Sequence, residues 1–158
     1  MKEPSGKDAR YDELDTITRE IEALPHRHEL LRFIEHRRLM NAAGGMKKEL
    51  NDIDAMLAPA GFHAAATDAQ PRPSTLKKSG ILASLSVLCK HLSTIASIAM
   101  HWTDPARTVV KRLAEWLIRQ LTDIVEEARQ IIGFSSWSLS VGAGFPSGLG
   151  YSITFDFV

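Results

Sequence analysis

The sequence predicts a mainly α protein, with four or five helices in an antiparallel, bundle-like arrangement and a C-terminal two-stranded β-hairpin. Three observations lead there. Apolar residues recur at steps of three and four over most of the chain, which is the spacing of one helix face. Proline and glycine interrupt that spacing at intervals suited to short helix connections. From Ser136 onward the period changes to two, in "SWSLSVGAGFPSGLGYSITFDF", around a single turn.

The first helix is carried by Tyr11, Leu14, Ile17, Ile21 and Leu24, over Asp8 to Leu24, and Pro25 ends it. A second run from about Arg27 bears Leu30, Leu31, Phe33, Ile34, Leu39 and Met40. It then meets Gly44-Gly45, where a kink or break is expected because each glycine weakens a helix by roughly 1 kcal/mol. The pattern resumes with Met46, Leu50, Ile53 and Leu57. Residues 59–80, with prolines, glycines and no period, read as a linker.

Beyond the linker, Ile81, Leu85, Leu88, Leu92, Ile95, Ala99 and Trp102 form a heptad-like seam. Leu82, Val87, Cys89, Ala96, Ile98 and Met100 widen it, so this helix is buried on several sides or meets lipid. Lys90 and His91 at its centre, with its serines, argue against a bilayer span. Thr103 or Asp104 is the expected N-cap of a fourth helix, with Pro105 in its first turn. That helix runs to about Ile132 on a stripe of Val110, Leu113, Leu117, Leu121, Ile124, Ala128 and Ile131, with Glu115 and Arg119 as an i,i+4 pair on the outside. The division expected is therefore a charged amphipathic helical arm over 1–58, a linker over 59–80, and an apolar helical hairpin plus β-hairpin over 81–158.

In the terminal segment, a turn at Pro146-Ser147-Gly148 pairs Phe145 with Leu149, Ala143 with Tyr151, Val141 with Ile153, Leu139 with Phe155 and Trp137 with Phe157. Every large side chain then lies on one face, and serine, glycine and threonine line the other. The candidate interaction surface is Trp137, Leu139, Val141, Phe145, Tyr151, Ile153, Phe155 and Phe157. Such a face does not stay in water, and a lone hairpin is not stable. Three coverings suggest themselves: the chain's own helices, a partner strand on a free edge, or a membrane entered after oligomerisation. In shape, the hairpin after a long helix resembles the membrane tongue of helical pore-forming toxins, and its alternating aromatic end is similar to the final strand of outer-membrane barrels. Both resemblances are confined to the last part of the chain, and Phe157 sits one position inward of where the barrel pattern puts its aromatic.

Composition narrows the function classes. The 158 residues carry 19 basic and 19 acidic side chains, which gives no electrostatic case for nucleic acid. Ten of the basic and twelve of the acidic ones lie in 1–58. The single cysteine, Cys89, excludes an internal disulfide and reads as a buried, inert thiol. The charged N-terminus contains no signal-peptide pattern, so a cytoplasmic location is expected. His26, His28, Glu29, Glu35 and His36 cluster without metal-ligand spacing, and Arg37-Arg38 with Lys47-Lys48 form a modest basic cluster offset by neighbouring acids. His91 or His101 beside Ser93 or Cys89 reads as packing rather than as a catalytic pair. No phosphate-binding, dinucleotide or nucleophile-elbow motif occurs, and no cofactor is implied. The expectation is a non-enzymatic interaction or assembly module, with a protein partner or self-association through the hairpin. The alternative is a membrane-active or pore-forming oligomer that inserts residues 135–158, and an enzyme without a familiar motif ranks third.

Overall fold

A computed structural model describes residues 6–24, 30–57, 73–144 and 148–157. The helices are α1 (Gly6–Glu22), α2 (Leu30–Leu57), α3 (Pro73–His101), α4 (Ala106–Glu127) and the one-turn α5 (Arg129–Ile132), followed by strands β1 (Ser136–Gly144) and β2 (Gly148–Asp156). The order of contacts sets the directions. Glu35, Gly45 and Met56 of α2 meet Trp102, just past the end of α3, and His91 and Gly80 within it, so the two run antiparallel. Glu13 and Glu20 of α1 pair with Arg119 and Arg112 of α4, which makes that contact antiparallel as well. The result is an up-down-up-down bundle.

The predicted stripes form its interior. Leu14, Ile17 and Ile21 of α1, Leu39, Met46, Leu50 and Ile53 of α2, all seven residues of the α3 seam, and Val110, Leu113, Leu117, Leu121, Ile124 and Ala128 of α4 belong to one buried cluster. The segment expected as an arm over 1–58 therefore shares the core with the C-terminal half: α1 and α2 have nowhere else to bury their stripes. The outer flank is polar. Arg10 and the Tyr11 hydroxyl both donate to Asp54, at 3.3 and 3.1 Å.

Four local features differ from the sequence reading. The helix α2 is continuous through Gly44-Gly45, without a break; Gly45 lies at the contact with α3, where a Cβ would sit 2.7 Å from His91 Nε2, whereas Gly44 is exposed and a Cβ there would meet nothing within 4 Å. Phe33 and Ile34, named among the apolar residues of the second helical run, are 52% and 45% exposed. The linker expected over 59–80 ends early, since α3 begins at Pro73. Proline is well suited to the first turn of a helix, and the turns that follow carry no apolar stripe to betray them, Leu76 being exposed. Finally, Arg119 pairs with Glu13 across the bundle and not with Glu115.

At the α3–α4 corner, the residue flanking the helix is Pro105, with no side-chain cap. The Asp104 carboxylate instead accepts the Thr108 hydroxyl at 2.8 Å. Arg107 turns back to donate to the carbonyls of Ala99 and Met100, closing the C-terminal end of α3. Leu76–His101 is long and apolar enough to cross a membrane by length and composition; half of its most apolar window is buried inside the protein. That burial is by α2 on one side, α4 on a second and β2 on a third.

Candidate interaction surface

The hairpin forms with the predicted facing but a different register. Trp137 pairs with Phe155, Leu139 with Ile153, Val141 with Tyr151, Ala143 with Leu149 and Gly144 with Gly148. Every predicted pair is thus displaced by two residues, because Gly148 enters the ladder as the first residue of β2, at φ +153°, and does not serve in the turn. A displacement of two preserves the pleat, so the apolar face is unchanged. Phe157 loses its cross-strand partner and lies past the end of the ladder.

The strand β2 runs along α3, opposite in direction. Leu149 lies at Ser97, Tyr151 at Ser93, and the Phe157 ring 5.1 Å from the Lys78 ammonium. The lengths agree: from Leu149 to Phe157 a strand covers about 26 Å, and from Lys78 to Ser97 a helix covers about 28 Å. The two serines do specific work on the outer edge of β2. The Leu149 N–H donates to Ser97 Oγ at 3.0 Å, and the Tyr151 N–H donates to Ser93 Oγ at 2.9 Å. Four residues of helix rise about 6 Å and two residues of strand about 6.6 Å, so an i,i+4 serine pair matches successive outward N–H groups. Replacing Ser93 with Ala leaves the part-buried Tyr151 N–H without its acceptor and is expected to cost about 1–2 kcal/mol, read as a lower urea midpoint; an unchanged midpoint removes the serine pair as an edge seal.

The open end of the hairpin is tied to α4 and α5. The Trp137 indole N–H donates to Glu126 Oε1 at 2.8 Å, and Arg129 donates to both Glu126 and the Ser135 carbonyl. The Phe134 ring lies 5.0 Å from that of Phe155, with the Arg129 guanidinium 4.7 Å from Phe134. The hydrogen bond from Trp137, then those from Arg129, hold the Glu126 carboxyl below its ordinary range.

The predicted surface therefore divides. Trp137, Leu139, Tyr151, Ile153 and Phe155 are half-buried against the core. Val141 and Phe157 are each 55% exposed, and Phe145 lies outside the described residues. Of the three coverings, the hairpin takes the chain's own helices. Towards the tip, a cleft of about 420 Å³ opens between Ala99 and Met100 of α3, Lys111 and Ile118 of α4, and Leu149 and Tyr151 of β2.

The edge of β1 is in a different state from that of β2. Residues opposite one another in an antiparallel pair turn their backbone groups the same way. Since Leu149 and Tyr151 direct their N–H groups away from β1, Ala143 and Val141 direct theirs away from β2, and alternation extends this to Leu139 and Trp137. Among the described residues, nothing bonds to these outward groups, and Ser136–Gly144 carries no charge. The outward face is small and flat, with Ser140 and Ser152 hydroxyls 3.0 Å apart across it.

The other constellations are not brought together. His26, His28 and Glu29 lie outside the described residues, Glu35 accepts from the Trp102 indole, and a ring nitrogen of His36 lies 3.0 Å from the Ile21 carbonyl. Among the described residues no three His, Cys, Asp or Glu side chains form a metal-holding group. Ser93 is committed to the Cys89 carbonyl and the Tyr151 N–H, while His91 faces Gly45 on α2. Burial pushes the Cys89 thiol up.

Burial also pushes His91 below its ordinary value of 6.5, against the opposing charge of Glu49. The sign of the consequence is fixed. The unfolded chain binds this proton more readily than the folded one, so the stabilisation is present above about pH 6.5 and is lost as pH falls through the folded value. Urea midpoints at about pH 7.5 and 5.5 are expected to fall further for the natural chain than for His91→Gln; equal falls remove His91 as the group responsible.

The serine seal and the Glu126 tie are what sequence reading misses here. Ser93 and Ser97 are visible as an i,i+4 pair on an apolar helix, which is the one signal that points to them. In comparisons with known proteins, no family model, no curated protein and no solved structure matches this chain.

Proposed function

We propose that this protein is a non-enzymatic assembly module that self-associates by adding the outer edge of β1 to the same edge of a second copy. The observation that supports this reading is the asymmetry of the hairpin towards its tip: on β2 the outward N–H groups of Leu149 and Tyr151 are taken by Ser97 and Ser93, whereas none of the outward N–H groups of β1 finds an acceptor among the described residues. An open edge is a template for strand pairing. Antiparallel pairing of two copies of β1 sets no like charges against each other, because the strand carries none.

Insertion of the hairpin into a bilayer, the alternative reading, asks for more. Each arm has nine residues, enough for a tilted transmembrane strand. Five half-buried side chains would have to leave the core, together with both serine bonds, before insertion.

The test is solution mass by light scattering after size exclusion, for the full chain and for Val141→Lys. Val141 is more than half exposed, so the lysine adds charge to the edge at little cost to the fold. A dimer that becomes a monomer on substitution supports the reading. Monomers in both cases, or a dimer in both, overturn it.

A further inference from the structure

The solvent face of α2 carries a second surface, far in sequence from the hairpin. Exposed positions recur at Phe33, Ile34, Arg37, Arg38, Asn41, Gly44, Lys47 and Lys48, which is the spacing of a single helix face. Among the side chains described, that face therefore begins with two large apolar residues, continues with four cations, and meets its first exposed acid at Asp52. Lys47 lies 3.5 Å from Asp15. Arg37, Arg38 and Lys48 make no ion pair among the described residues. The nearby Glu35 carboxylate is turned inward to Trp102.

We propose that this face docks the protein on an anionic phospholipid bilayer. Phe33 and Ile34 enter the boundary between headgroups and acyl chains, and Arg37 and Arg38, four residues on and about 6 Å along the axis, meet the lipid phosphates. The occupant is argued from two features together. Exposed cations alone suit any anionic surface. A phenylalanine and an isoleucine, 52% and 45% exposed and one turn from the arginines, add a need for an apolar phase beside the negative charge, and the bilayer interface supplies both in that order. Net charge hides the feature, since the chain sums to zero while this face does not. The buried side of α2 is unaffected by docking, because Leu39, Met46, Leu50 and Ile53 remain in the core.

The experiment is co-sedimentation of the full chain with vesicles of phosphatidylcholine alone and of phosphatidylcholine with phosphatidylserine, at low and physiological salt. Two variants are compared, Arg37→Glu/Arg38→Glu and Phe33→Ser/Ile34→Ser, each checked for an unchanged thermal midpoint. Binding is expected only with phosphatidylserine present, weakening with salt. The arginine variant should lose at least about 25-fold in affinity, at about fivefold per neutralised cation, and the apolar variant should bind more weakly while keeping its salt dependence. No binding, binding of equal strength to neutral vesicles, or binding unaltered in both variants overturns the proposal. Capture by soluble polyglutamate as tight as by vesicles, unaffected by the apolar variant, also overturns it and assigns the face to an acidic protein. Because neither variant touches β1, failure here leaves the edge-pairing reading standing.

Discussion

A chain ended after Phe134 should lose most of its stability, unfolding at a much lower urea concentration than the full chain. The hairpin is a third layer on α3, and its removal returns the half-buried faces of Trp137, Leu139, Tyr151, Ile153 and Phe155 to water. At about half of the roughly 1.5–3 kcal/mol for full burial, the five amount to on the order of 4–8 kcal/mol of gross hydrophobic stabilisation. Domains of this size are stable by about 5–15 kcal/mol in total. The loss also uncovers α3 where Cys89 and Ala96 are now buried, which favours aggregation. Circular dichroism with urea, with solution mass measured in parallel, checks this. A truncated protein with the natural midpoint shows that the hairpin is an appendage and not a structural layer.

The second large effect separates two adjacent glycines. Gly45→Val is expected to destabilise by about 2–3 kcal/mol, because a Cβ there overlaps the His91 ring and the γ-methyls have no room. Gly44→Ala, one residue away with open space, is expected to stabilise by about 1 kcal/mol through helix propensity alone. His91→Ala should recover much of the Gly45→Val loss, which makes the pair a double-mutant cycle with a large coupling. Equal effects at the two glycines, or no recovery, would show that α2 and α3 do not meet there.

Much of the architecture was legible in the residues themselves, for a physical reason: stripes at helical and strand periods record which faces leave water, and they do so locally. The seam from Ile81 to Trp102 is buried along its whole length. The hairpin's two faces are likewise as the alternation predicts, since a displacement of two residues leaves side-chain direction unchanged. What the residues did not disclose depends on distant partners. Gly44-Gly45 reads as a break because propensity is a local quantity, while the ring that fills the space at Gly45 arrives from 46 residues further on, at His91. Arg119 has an acceptor four residues earlier and takes Glu13 from another helix. Phe33 and Ile34 fit the apolar composition of a core stripe but fall outside its phase, and they became interpretable only with Arg37 and Arg38 on the same exposed face. The start of α3 at Pro73 went unread because Leu76, the apolar residue of its first turns, is exposed and leaves no period.

For the proposed edge pairing, the serine seal on β2 would also set a limit on growth. A hairpin with both edges open is a bifunctional unit, and units of that kind add end to end without a stopping point, as fibres do. If copies join through β1 as proposed, Ser93 and Ser97 hold the tip half of the other edge, so that one joining event between two β1 edges leaves neither copy with a fully open edge. In that assembly two hydroxyl groups on a helix would act as a chain terminator, and the same hairpin released from α3 would regain the valence needed to polymerise.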